Sequence, residues 1–106
     1  MSFIVAYITH KDREHAVKVV EHLLERRLVA CANIFPIESA YWWKGEVRNE
    51  REVVSLVKTR AENWEKLRDE VEGMHPYEVP CIMKLTACAN EAYEDWINSE
   101  TCEVIS

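Results

Sequence analysis

The chain has 106 residues, of which 48% are hydrophobic and 30% charged, with a formal net charge of −6. Those values suit one globular domain over residues 1–106, leave no room for a second, and are those of a globular and not a disordered chain. An acidic surface with no basic cluster argues against nucleic acid as a partner, and no apolar run reaches the ~18 residues that a membrane span needs.

The first segment, Phe3 to Ile8, is a short β-prone apolar run ending at Thr9. From Asp12 to about Arg27 the period changes to a helical one, with Ala16, Val17, Val20, Leu23 and Leu24 on one face. Asp12 suits the cap position, and Arg26-Arg27 the negative end of the helix dipole. Val29 to Trp43 reads as a long strand in which Pro36 predicts a bulge or bend. Lys44-Gly45 is a tight turn, and Glu46 to about Arg60 returns as the partner strand of a β-hairpin. A second helix starts near Ala61, with Trp64, Leu67, Val71 and Met74 as its apolar stripe. Gly73 is the expected stop, and His75-Pro76 forbids continuation. Pro80 leads into a strand from Cys81 to Ala87. A short third helix from about Asn90 carries Tyr93, Trp96 and Ile97, and the tail from Thr101 to Ser106 is a last short strand or a loose end. The order β-α-β-β-α-β, with right-handed crossovers, predicts an α+β ferredoxin-like sandwich with an extra C-terminal helix and a long β2-β3 hairpin.

The start of the chain lacks the positive flank of a secretory signal. Its four cysteines, Cys31, Cys81, Cys88 and Cys102, form no CxxC pair, which argues against a zinc knuckle or a disulfide framework. A cytoplasmic address is expected.

A sheet with helices on one side should alternate apolar and polar residues. Phe3 to Ile8 and Val53 to Val57 are instead apolar in both parities. Two helices cover one face, so the other needs a different cover, and a second copy of the chain is the economical answer. The hairpin agrees: fifteen extended residues span roughly 50 Å, whereas a domain of this length is about 35 Å across. Tyr41, Trp42 and Trp43 on a free arm would form a large sticky patch.

Ala30-Cys31-Ala32-Asn33-Ile34 with Pro36, then Ser39, Tyr41, Trp43 and Gly45, then Glu52, Lys58-Thr59, His75-Pro76-Tyr77-Glu78 and Pro80, with Tyr93 and Trp96, form a spaced set across the whole chain. This set resembles the CutA family of divalent-cation tolerance proteins. The resemblance implies a ferredoxin-like subunit, a homotrimer, a fold similar to the PII signalling proteins, and copper binding without a firmly attached reaction. Many members carry an acidic residue after Pro80, where this chain has Cys81. That difference leaves open whether a metal site is kept, lost or made softer toward copper or zinc.

The topology gathers Thr9, His10 and Asp12 at the same end of the sheet as His75, Tyr77, Glu78 and Cys81. Imidazole, carboxylate and thiolate suit a borderline or soft divalent metal, so His75, Glu78 and Cys81 are the candidate ligands. The competing reading has them capping the second helix and locking an interface. His15 and His22 lie two turns, ~10.5 Å, apart on one helix and cannot share an ion, so both are expected to be solvated. Glu52 and Lys58, with Tyr41 and Trp43, form either an interface network or an intersubunit cleft for a small ligand. No Gly-rich phosphate loop or nucleophile motif is visible, so the sequence points to a binding protein and not an enzyme. The function expected is a trimeric divalent-cation tolerance protein that binds copper or, second, zinc. A PII-like sensor of a small ligand and a purely structural interaction module are the alternatives.

Overall fold

The computed structural model describes residues 2–101. Its elements run β1 (Phe3–His10), α1 (Arg13–Glu25), β2 (Cys31–Trp43), β3 (Glu46–Thr59), a 3-10 turn (Ala61–Asn63), α2 (Trp64–Met74), β4 (Ile82–Ala87) and α3 (Glu91–Glu100). The strands form one antiparallel sheet in the order β2-β3-β1-β4, which is the ferredoxin-like arrangement. The tail, expected as a last short strand or a loose end, lies beyond Thr101 outside the described residues. No described helix is long and apolar enough to cross a membrane.

Local chemistry sets the helix ends. Asp12 is extended, and its Oδ1 accepts from the His15 amide at 2.8 Å, satisfying one of the free donors of the first turn. At the other end of α1, Arg27 takes φ 58°. The Leu28 amide then donates to the Leu23 carbonyl at 3.0 Å, and Arg27 to Leu24 at 3.1 Å. This bond pair closes the last turn and redirects the chain. In α2, Gly73 is not the stop. The helix continues through Met74 and ends at His75, whose ψ is 132°. Pro76 imposes that end, because its ring crowds helical geometry in the residue before it.

Ala6, Ile8 and Val57 point to the helices and are fully buried with Val19, Leu23, Leu67 and Val71; Ala32, Ile34, Trp64 and Ile82 pack around them. The opposite face carries Val5 and Tyr7 on β1, Leu56 on β3, Phe35 on β2, and Met83 and Leu85 on β4, as the strand registers require. Phe35, Met83 and Leu85 are exposed there, Leu85 to 57%. α3 covers only one end of this face, where Tyr93 packs edge-on against Phe3 at 6.2 Å and its hydroxyl lies 3.3 Å from Cys31 Sγ.

Pro36 makes no bulge. The β2-β3 register is unbroken from Cys31↔Lys58 to Trp43↔Glu46, with Pro36↔Val53 in line. β2 is an edge strand, where a missing N–H directed outward costs no ladder bond. β1 reaches β3 only as far as His10↔Val53. Residues 37–43 and 46–52 therefore continue beyond the sheet as a two-stranded ribbon, and the molecule is 45 Å long. Lys44 at φ 50° and Gly45 at φ 80° close it, a turn whose twist matches the strands.

Candidate metal centre

β1 continues past Ile8 to His10, and the period of two puts His10 on the helix face with Ala6 and Ile8. The Asp12 cap starts α1 immediately afterwards. His15 thereby falls on the same buried stripe as Val19 and Leu23, one and two turns on. His75 arrives from the end of α2, where Pro76 fixes its extended backbone. One nitrogen from each of His10, His15 and His75 lies within 4.8 Å of the others. His10 is fully buried, His15 is 9% exposed, and His75 is half-buried.

Hydrogen bonds hold every ring. His10 Nδ1 is 2.8 Å from His15 Nδ1, and His10 Nε2 is 2.7 Å from Ser55 Oγ. His15 Nε2 lies 3.2 Å from the Met74 carbonyl. His75 Nε2 donates to the Thr9 carbonyl at 2.7 Å, and His75 Nδ1 accepts from the Tyr77 amide at 3.2 Å. The Tyr77 ring packs against His75, with centroids 4.6 Å apart. Burial, reinforced by the neighbouring His15 and His75, pushes His10 down to about 4, against a smaller upward pull from Asp12. Burial also lowers His75, while the Thr9 carbonyl opposes the shift. Near neutral pH, His10 and His75 are therefore uncharged, the form that binds a metal.

The donor set fits a borderline divalent ion. Imidazole–metal bonds of ~2.0–2.1 Å at tetrahedral angles place donor atoms about 3.3 Å apart. The observed nitrogens bracket that value, at 2.8 Å for the closest pair and within 4.8 Å for the set. For His75 to join the set, one of its two bonds, to the Thr9 carbonyl or from the Tyr77 amide, has to give way to the ion.

His15 corrects the expectation of a solvated helix residue: it is buried because its face of α1 meets β1 and the end of α2. His22, two turns on, is partly exposed and pairs with Glu70 Oε2 at 2.9 Å. Glu78 is exposed on the loop and is not one of the three clustered residues. Cys81 is partly buried, and its carbonyl accepts from the Thr9 amide at 3.3 Å. Burial, then the Glu52 carboxylate, pushes its thiol pKa up, which keeps the sulfur protonated and a poor ligand. Thr9 contributes its backbone.

Glu52 is 7% exposed and accepts from the Tyr77 hydroxyl at 2.8 Å. Burial and this carboxylate raise the pKa of that hydroxyl. Lys58 donates to Asn33. Tyr41 and Trp43 stand on the ribbon beyond the sheet, Tyr41 beside Glu50. Within one subunit, then, Glu52 and Tyr77 adjoin the histidine cluster through His75, whereas Lys58 does not share their contacts. The sequence carries a signal for His10 in the parity of β1; His15 keeps the spacing of the α1 stripe, which does not by itself say that it is buried, and the signal for Ser55 is only that of an interior strand residue.

The family model described as CutA1 divalent ion tolerance protein matches residues 4–100. The divalent-cation tolerance protein CutA of Pyrococcus horikoshii is 41% identical over 99 residues, covering 92% of this chain and 97% of that protein. Among solved structures, the periplasmic divalent cation tolerance protein CutA from Archaeoglobus fulgidus superposes with a TM-score of 0.90 at 39% identity, over 95% of this chain and 99% of that one. CutA1 from Oryza sativa gives a TM-score of 0.92 at 33% identity, over 98% and 97% of the respective chains.

Proposed function

Since this chain belongs to the CutA1 divalent ion tolerance family, we propose that it binds a divalent transition-metal ion through His10, His15 and His75 and takes part in the response to such ions. The convergence of three imidazoles from β1, α1 and the end of α2 is the observation that carries this reading. Neutral imidazoles favour copper(II) over zinc by the general affinity order, and both far over calcium or magnesium. The reading is one of binding and not of catalysis.

We also propose a homotrimer. The exposed Phe35, Met83 and Leu85 and the unsupported ribbon with Trp42, 75% exposed, give a partner copy a face and an arm to cover. The unpaired thiols of Cys31, Cys81 and Cys88 support a reducing, cytoplasmic setting.

Calorimetric titration of the native chain with copper(II) and with zinc(II) at neutral pH tests the site. Binding of one ion per chain is expected, with the heat abolished in His75→Ala and His10→Ala. Equal heats from the native chain and both variants would remove the assignment.

A further inference from the structure

The hydrogen bonds around the cluster fix where its protons sit. The Met74 carbonyl only accepts, so a His15 ring with a single proton, the state in which it can ligate, carries that proton on Nε2, 3.2 Å away. That leaves His15 Nδ1 bare, and at 2.8 Å it accepts from His10 Nδ1–H. His10 Nε2 is then the bare nitrogen of its ring and accepts from the Ser55 hydroxyl at 2.7 Å. The chain runs Ser55 O–H to His10, His10 N–H to His15, His15 N–H to the Met74 carbonyl. Every member is satisfied, and the fully buried Ser55 has its only described side-chain bond here.

A metal held by both Nδ1 atoms takes the place of the proton between them. His15 needs no change, because its Nε2–H already points to Met74. His10 must give up Nδ1–H and hold its proton on Nε2, directed at Ser55. A hydroxyl both donates and accepts, so Ser55 can turn its own hydrogen away and accept from His10. Alanine cannot accept this bond, and a lysine in the same place could not either.

We infer that Ser55 is a positioning residue that reverses from donor to acceptor when the site loads, so that His10 and His15 both ligate through Nδ1 a borderline divalent ion of the zinc or copper(II) class. The inference rests on the metal reading above and specifies which atoms serve it. Outer partners of this kind fix the tautomer of a ligating imidazole, and their loss typically weakens metal binding 10- to 100-fold.

The test uses the native chain, Ser55→Ala, Ser55→Thr and His10→Ala, each titrated with zinc(II), together with nitrogen-15 imidazole spectra of the native chain before and after zinc. Expected are a His10 proton on Nδ1 without zinc and on Nε2 with it, and affinity 10- to 100-fold lower in Ser55→Ala. Ser55→Thr keeps the hydroxyl and should restore most of that loss. The spectra need no variant, so a Ser55→Ala chain that fails to fold does not decide the matter. If zinc binds and His10→Ala weakens it, yet His10 retains Nδ1–H or Ser55→Ala binds as the native chain does, the role of Ser55 is overturned while the metal site stands. If the native chain gives no heat and no imidazole resonance moves, the metal reading falls and this one with it.

Discussion

His10 shows how a polar side chain can belong to a core. It occupies a strand position that the period of two assigns to the helix face, beyond Ala6 and Ile8, and both of its nitrogens are bonded. The groups facing it are His15 and Asp12 from the start of α1, Ser55 from β3 and His75 from the end of α2. Burial first, then the two other imidazoles, hold it down to about 4, against 6.5 for a free histidine. Between those values the unfolded chain binds the extra proton and the folded chain does not. Stability from His10 is therefore complete above pH 6.5 and is lost as the pH falls toward 4. Allowing for screening on the solvent side of the cluster, the expected loss is about 2 kcal/mol. Urea midpoints at pH 7 and pH 4.5 measure it, with His10→Gln as the control for carboxylates that titrate nearby. An equal drop in the control would show that His10 is not the source.

At the scale of elements, the cluster depends on where α1 begins. Asp12 ties its carboxylate to the His15 amide at 2.8 Å, and this fixes the first turn over the end of β1. Replacing Asp12 by Ala should cost about 1 kcal/mol as a lost cap. That corresponds to roughly 4–8 °C in Tm for a domain of this size. Asp12→Asn should recover most of it, since an amide oxygen also caps. Thermal melts of the three chains decide the point, and an unchanged Tm in Asp12→Ala would mean that packing alone sets the helix start. The end of α2 follows a similar logic: Pro76, and not Gly73, stops the helix. His75 consequently stands extended, with its Nε2 on the Thr9 carbonyl. Element boundaries, more than side-chain identities, bring these three rings together.

At the scale of the molecule, the sheet has one face closed by α1 and α2 and another closed only at one end by α3. Phe35, Met83 and Leu85 remain open on it, and the ribbon formed by residues 37–43 and 46–52 extends without support. A two-stranded ribbon alone is marginal in water. Leu85→Glu separates the two readings of this face. On a free surface the substitution is nearly neutral; in a subunit contact it buries an unpaired carboxylate. Sedimentation should give three copies for the native chain and one for the variant. A native chain that sediments as a single subunit would overturn the trimer.

Much of this fold was legible in the residues: the period of two in β1, the period near 3.6 in α1 and α2, the Asp12 cap, the Lys44-Gly45 turn and the strand order that right-handed crossovers require. Those features depend on local geometry and on which side chains avoid water, and a linear chain carries both. The straight passage of β2 through Pro36 was not legible, because a proline on an edge strand suits a bulge and an unbroken register alike. Nor was the burial of His15. A histidine on an apolar stripe reads the same whether it faces solvent or a neighbour, and only the docking of α1 against β1 and Met74 decides between them. The sequence by itself determined the elements, their order and the family pattern. Tertiary structure alone decided that His10, His15 and His75 share one small volume with Ser55, because their meeting is set by strand register and helix placement across residues far apart in the chain.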